Sequence, residues 1–317
     1  MSSPPATFEA TAPAAFGAVG YALAIAGAGL FSTKGIFIKL AYAHGASAET
    51  VLALRMAVAL PVYAVILGVI LLRDGAGRRA LSWRTVGATM LIGMLGYYFS
   101  SYVDFLGLQF VSAQYERLVL FTYPFFVLLL GVLFFSERMS WSMVPAMAIS
   151  YAGIAVIFGW NLVANPDGLI IGTALVMTAA LSFALYQHLA KRQMKRMSPA
   201  LFTCIGMSTA AIAAIIQNGV INGPQSLLDV DGEILAYGLA LGMLGTVLPS
   251  FLMNAGMDRI GARATASTAG LGPVVTAVIA VIALGEEFTL FHATGTVLVI
   301  AGIALFGRAE RRLSAKA

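Results

Sequence analysis

Long apolar runs, broken only at short polar or Gly/Pro/Asn/Asp clusters, fill this chain from about residue 15 to residue 307. A helix that crosses the hydrocarbon core of a bilayer needs about 20 mostly apolar residues. Ten runs meet that length, at roughly 15–42, 48–73, 82–108, 111–135, 141–160, 168–193, 198–221, 231–256, 262–283 and 288–307. The longest gap between them lies around Ile221–Asp231, so no room remains for a soluble catalytic or regulatory domain. The pattern predicts an all-α integral membrane protein of ten transmembrane helices, with short tails at 1–14 and 308–317.

Composition supports that class and removes others. Of 317 residues, 60% are hydrophobic and only 10% charged, with a mean hydropathy of +0.89. Soluble domains carry about 25% charged residues. Cys204 is the single cysteine, so neither an intrachain disulfide nor a Cys-based metal site can form. The three histidines (His44, His188 and His292) lack ligand spacing, and no metal or other cofactor is expected. The segment before the first apolar run has no basic stretch, so no cleaved signal peptide is expected.

The net charge of +5 would suit nucleic acid, but the positions of the charges argue for topology instead. Fifteen of the 19 Lys and Arg residues fall in or beside alternate connections and in the C-terminal tail. These are Arg73, Arg78, Arg79, Arg84, Arg138, Lys191, Arg192, Lys195, Arg196, Arg259, Arg263, Arg308, Arg311, Arg312 and Lys316. The other connections, around His44, Gln109, Asn165, Gln225 and Glu286, contain none. The positive-inside rule makes the basic set cytoplasmic and, with ten helices, puts both termini inside. The lipid bilayer is the expected partner; nucleic acid is not.

An internal repeat follows from an ungapped offset of 149. Gly107, Ala113, Pro124 and Glu137 match Gly256, Ala262, Pro273 and Glu286, and Ala152–Ala155 reads the same as Ala301–Ala304. The halves are placed at 15–160 and 168–307, each with five helices. An odd number per half forces the two to cross the membrane in opposite senses. Inverted-topology repeats are the mark of secondary transporters, with the substrate site at the repeat interface.

Three stretches carry a resemblance. Gly29-Leu30-Phe31-Ser32 through Lys39 to Arg55 resembles the opening of the EamA-type module of the drug/metabolite transporter (DMT) superfamily. Ala113 through Pro124 to Ser136-Glu137-Arg138, and its copy Ala262 through Pro273 to Gly285-Glu286-Glu287, resemble the fourth helix of that module. The resemblance implies the DMT fold and export of small metabolites from a bacterial-type inner membrane. It is greatest to the branch that exports aromatic and other amino acids. The chain departs from the module at Glu116-Arg117, where small residues are usual and where the second copy has Thr265-Ala266.

Ionisable residues inside a span face the bundle or a cavity, because each costs about 2.5–3.5 kcal/mol at the bilayer centre. Lys34, Lys39, Arg55, Asp104, Glu116 and Arg117 all fall in the outer half of the first five helices, four cations against two anions. One reading is a cavity open to the outside, holding a zwitterion between Lys34 or Arg117 and Glu116. The other is mutual ion pairing, with Lys39 reaching to the interface; it weighs more for Lys39 and Arg55. Tyr97, Ser101 and Asp104 share a stripe on helix three beside Tyr98, Tyr102 and Phe105. Tyr97 and Tyr98 lie deep enough to line a cavity, whereas Tyr102 fits an interfacial belt.

In the second half, Tyr186 on helix six and Asn254 on helix eight complete the candidate substrate site of Lys34, Tyr97, Tyr98, Ser101, Glu116, Arg117, Tyr186 and Asn254. His188 reads as a hydrogen-bonded structural residue. Pro61, Pro124, Pro249 and Pro273, with Gly270 and Gly272, weaken helical bonding inside the spans. Pro124, Pro249 and Pro273 are the gating candidates. Glu137 and Glu286 sit near Ser140 and Thr289, plausible caps of the next helices, and read as structural.

Motifs of membrane enzymes (HExxH, GxSxG, a membrane-facing aspartate pair) and the phosphate loop of ATP-driven pumps are missing from the sequence. A scaffold or sensor fits the inverted repeat poorly. The expectation is a non-enzymatic exporter of amino acids working by alternating access, with protons a candidate coupling partner through Glu116. Toxic amphiphilic or cationic compounds and nucleosides are the alternative cargo.

Overall fold

With no water at membrane depth, a spanning chain must satisfy its backbone internally, and this chain does so with helices throughout. A computed structural model describes residues 14–73, 81–135, 141–164, 166–269 and 271–314. Arg78, Arg79, Glu137, Arg138, Ser140, Gly270 and Lys316 lie outside them. The described residues contain no strand. Helices α1 (Ala14–Ser32) and α2 (Lys34–Ala43) form one span interrupted at Thr33, and α3 (Ala48–Arg73) follows. The third consists of α4 (Trp83–Gly93), a π-helical segment Met94–Phe99 and α5 (Ser100–Gly107). The fourth joins α6 (Ala113–Leu120) to α7 (Tyr123–Phe134), and α8 (Val144–Ala164) closes the half.

The second half contains α9 (Leu169–Gln193), α10 (Pro199–Asn222), α11 (Gly232–Gly242) with a π segment Met243–Val247, α12 (Leu248–Ala269), α13 (Gly272–Leu284) and α14 (Leu290–Ser314). Eight described stretches are long and apolar enough to cross a membrane, and α13 is a shorter apolar helix. Two of the ten expected runs therefore look different. Run 82–108 is not among the eight, although it is helical throughout with a π segment inside it, and helical bonding in α12 continues through the turn expected near 256–262. The partners of α1 still show a reversal: Pro249 and Met253 pack at Gly27 and Ile260 at Gly20, whereas Gly272 packs back at Ser32.

The breaks have local causes. Pro124 and Pro273 each stand in the first turn of a helix, α7 and α13, where a missing N–H costs nothing. Before them, the Thr122 hydroxyl donates to Val119 O at 2.7 Å and that of Thr268 to Thr265 O at 2.7 Å. At the first break, the Thr33 hydroxyl donates to Leu30 O at 2.7 Å and its N–H donates to the same carbonyl. Pro249 differs: it is buried beside α1, directly after the π segment and inside a helical span that runs from Gly232 to Ile260.

The internal symmetry can be read from close contacts. A Cβ placed on Gly153 would lie 2.6 Å from Gly295 O, and one on Gly302 would lie 2.6 Å from Ala146 O. These contacts exchange when 149 is added or subtracted, and the Ser150 hydroxyl donates to Val299 O, its own counterpart. The pairs 146–302, 150–299 and 153–295 run in opposite senses, so α8 and α14 cross antiparallel. A twofold axis relating antiparallel helices is perpendicular to them and lies in the membrane plane, so the repeats are inverted. The π segments obey the same offset, with Met94-Leu95-Gly96 matching Met243-Leu244-Gly245.

The first spans follow a different register. Gly107 meets Gly172 O and Val176 N, while its counterpart Gly256 meets Gly20 O and Ala24 N. Residues 20 and 24 thus correspond to 172 and 176, an offset of 152. Lys34 consequently corresponds to Tyr186.

Candidate functional site

Span breaks and the π segment bring five ionisable side chains together. Lys34 is the first residue of α2, directly after the Thr33 break; Asp104 is on α5, after the π segment; Glu116 and Arg117 are on α6; and Arg55 is on α3. Lys34 Nζ donates to Asp104 Oδ2 at 2.5 Å and to Glu116 Oε1 at 3.5 Å. Both acids are buried, Asp104 at 2% exposure and Glu116 at 0%. One oxygen of each, Asp104 Oδ1 and Glu116 Oε2, is buried without a hydrogen-bond partner.

The two arginines have no such pairing. Among the described residues no carboxylate lies within 4.0 Å of Arg55 or Arg117. Arg55 donates through Nε to Thr246 Oγ1 (2.8 Å) and through Nη1 to Ser101 Oγ (3.3 Å), with its guanidinium 5.7 Å from the Phe105 ring centre. Arg117 donates through Nη2 to Ser32 Oγ at 3.5 Å and lies 4.9 Å over the Phe121 ring, with Nε buried and unpartnered. Close approach of Arg117 needs Gly272, where a Cβ would lie 3.2 Å from Nη2. Thr246 and Gly272 bring the second repeat to a cluster otherwise built from the first.

Three of the five buried unpartnered polar side-chain atoms among the described residues belong to this cluster. Buried polar atoms are normally bonded, so such a concentration marks a place where another group can dock. The cluster carries three cations and two anions, net +1. It offers unpaired guanidiniums to a carboxylate and free carboxylate oxygens to an ammonium.

The expected residues divide into groups. Lys34, Ser101, Glu116 and Arg117 belong to the cluster, together with Asp104 and Arg55. Tyr97 and Tyr186 pair elsewhere: their hydroxyls are 2.6 Å apart, their ring centres 5.0 Å apart, and Phe183 and Phe202 lie against Tyr186. Gly96 makes room for the Tyr186 ring, since a Cβ there would be 2.2 Å from it. Tyr98 stacks on Tyr102, whose hydroxyl donates to Glu49 at 2.6 Å. Asn254 is exposed on α12, next to Met253, which packs on Gly27. His188 has Val127 O 2.8 Å from Nε2 and stacks on Phe135.

Two expectations change. Around the cluster both acids are buried, while the Lys34 side chain keeps 14% exposure. A cleft of about 490 Å³ opens elsewhere, lined by Lys39, Gln109, Ser112, Asn161, Asp167 and Glu286 among others. Glu286 also reaches further than the next helix. Its Oε1 accepts from Ala113 N at 2.6 Å and its Oε2 from Gln114 N at 3.2 Å, so the second repeat caps a helix of the first. Thr289 instead pairs its hydroxyl with His292 Nδ1 at 2.9 Å.

Glu286→Ala is expected to cost about 1–2 kcal/mol, read as a lowered unfolding temperature in detergent. Glu287→Ala removes an exposed side chain and leaves intact the backbone carbonyl that accepts from Gln114. An equal drop in both variants would refute the capping role.

Sequence comparison adds a family. The EamA-like transporter family matches residues 18–159 and 170–308. The chain is 28% identical to the uncharacterized transporter YcbK of Bacillus subtilis over 88% of this chain and 89% of that one. It is 29% identical to an uncharacterized transporter of Archaeoglobus fulgidus over 80% and 87%. It is 28% identical to a probable amino-acid metabolite efflux pump of Salmonella typhimurium over 64% and 70%. A solved structure titled only as a crystal structure of protein superposes with a TM-score of 0.58 at 20% identity, covering 93% of this chain and 99% of that chain, which speaks to the fold alone.

Proposed function

Because the chain belongs to the EamA-like transporter family, we propose that it exports amino acids, aromatic and other neutral ones, by alternating access of its two inverted repeats. The reading rests on one observation above all. Lys34 is shared by Asp104 and Glu116, while Arg55 and Arg117 have no carboxylate within 4.0 Å among the described residues. A zwitterion is the cargo whose two charged ends complement both halves of that arrangement. The similarity to a probable amino-acid metabolite efflux pump supports the same class.

In this reading the repeats comprise 15–160 and 168–307, and ten spans place both termini in the cytoplasm of a cell with an inner membrane. The aromatic group around Tyr97 and Tyr186 offers π-faces and two hydroxyls toward the cytoplasmic side of the cluster. Glu116 is the candidate carrier of a coupling proton. A toxic cation carries no carboxylate and would leave Arg55 and Arg117 unmatched.

The test is efflux of a labelled amino-acid panel from liposomes containing the purified protein. Saturable efflux of aromatic or aliphatic amino acids is expected. Its absence for the whole panel, with folded protein and active efflux of nucleosides or amphiphilic cations, would transfer the assignment to that cargo.

A further inference from the structure

The two acids of the cluster share one lysine, Lys34. We infer that Lys34 is a tethered stand-in for the ammonium group of the cargo: between cargo molecules it pairs with Asp104 and Glu116, and the incoming amine displaces it. This inference rests on the cluster being the substrate site.

Four observations carry it. First, Lys34 Nζ contacts one oxygen of each acid and leaves the other, Asp104 Oδ1 and Glu116 Oε2, buried and unpartnered. The acids therefore keep capacity for a second ammonium while the exchange takes place. Second, lysine is a point charge on a flexible stem, able to leave and return, whereas arginine would lock the acids through a bidentate fork. Third, Lys34 starts α2 just after the break at Thr33, so its backbone sits at a joint between two separately bonded helices. Fourth, the second repeat builds the same scaffold without the device. Its counterparts of Lys34, Asp104 and Glu116 are Tyr186, Met253 and Thr265, so the fold itself does not require the charges.

The consequence concerns the return stroke. Without Lys34 the two buried carboxylates have no cation within 4.0 Å among the described residues, and reorientation of the empty protein faces a steep barrier. With Lys34 filling in for the ammonium, the empty protein can reorient and net efflux proceeds. Without it, the protein reorients only when loaded, and export becomes obligatory exchange. A cargo without an amine has nothing with which to displace Lys34, so the α-keto analogue is a poor substrate.

The experiment compares two modes of movement of labelled phenylalanine in liposomes holding the full-length protein. One is net efflux into phenylalanine-free buffer; the other is exchange with saturating unlabelled phenylalanine outside. Wild type is expected to perform both. Lys34→Gln is expected to lower net efflux at least about tenfold more than it lowers exchange. Equal loss of both by folded Lys34→Gln, or equal retention of both alongside an inactive Glu116→Gln, would overturn the inference and leave the site. Wild-type rates in Lys34→Gln, Glu116→Gln and Arg117→Ala together would overturn the site itself, and no saturable movement in wild type would overturn the amino-acid reading. Should Lys34→Gln not fold, the wild type decides: phenylalanine accelerates acetylation of Lys34 by an amine-directed reagent severalfold, as read by peptide mass, and phenylpyruvate does not. Lack of acceleration by phenylalanine overturns the inference.

Discussion

Glu116→Gln lowers saturable amino-acid efflux by about tenfold to a hundredfold without unfolding the protein, the consequence of removing one charge from a buried network. Glu116 is completely buried and reaches Lys34 at 3.5 Å, and its second oxygen has no partner. Glutamine preserves the size and one acceptor but leaves Lys34 with Asp104 alone and raises the net charge of the cluster from +1 to +2. Arg117→Ala acts at the other end. It removes a guanidinium that has no carboxylate partner among the described residues, so it weakens cargo binding more than folding, and its loss is recovered in part at high cargo concentration. Initial rates of efflux against internal amino-acid concentration, with thermal unfolding alongside, distinguish the two effects. Wild-type kinetics in both variants would reduce the cluster to structural ion pairing.

Gly302→Val prevents accumulation of folded protein, whereas Gly307→Val on the same helix has little effect. At residue 302 even a Cβ would lie 2.1 Å from Ser150 Oγ and 2.6 Å from Ala146 O, and a backbone carbonyl cannot rotate away. At residue 307 nothing lies within 4 Å. Overpacking a close-fitted contact costs about 1–3 kcal/mol or more. Here the contact belongs to the symmetric crossing of α8 and α14, and small residues at a helix crossing are what permits close packing within a membrane. The elution profile of detergent-solubilised protein reads the difference. A monodisperse Gly302→Val variant, or equal loss in both, would refute the role assigned to this crossing.

The sequence carried the features that depend on one stretch of chain. Hydropathy delimited the apolar runs, since an N–H or C=O in lipid must bond within its own helix. Pro124 and Pro273 marked weak points inside their runs, and the structure makes each a helix start, where the ring removes a donor that the first turn does not use. His188 read as structural, and it packs on Phe135. Other features left weaker traces. The Met-Leu-Gly triplets at 94–96 and 243–245 share the 149 offset, and aligning the third and eighth runs would have exposed them; the π geometry that begins there has no propensity signature. The π segment also explains why run 82–108 is not one regular helix.

Partner choice was the main thing hidden. Six ionisable residues could be placed at similar depth from their positions in the runs, but depth does not say which acid meets which cation. Rotation about each helix axis, changed by the Thr33 break and the π insertion, brings Lys34 to Asp104 first and to Glu116 second. The same rotations leave both arginines facing hydroxyls and aromatic rings, and send Tyr97 to Tyr186. Glu286 shows the limit most clearly. A structural role in its turn, beside the expected cap Thr289, was all the sequence offered, and its carboxylate crosses to Ala113 and Gln114 of the other repeat, 172–173 residues away.

By itself, then, the sequence determined the all-helical membrane class, the family and the 149-residue repeat, because apolar length, proline position and self-similarity are properties of contiguous chain. Only the tertiary structure decided the 152-residue register of the opening spans, the direction of the twofold axis and the pairing within the charged cluster. Those depend on which faces of distant helices meet, and the close glycine crossings, not the apolar pattern, set that.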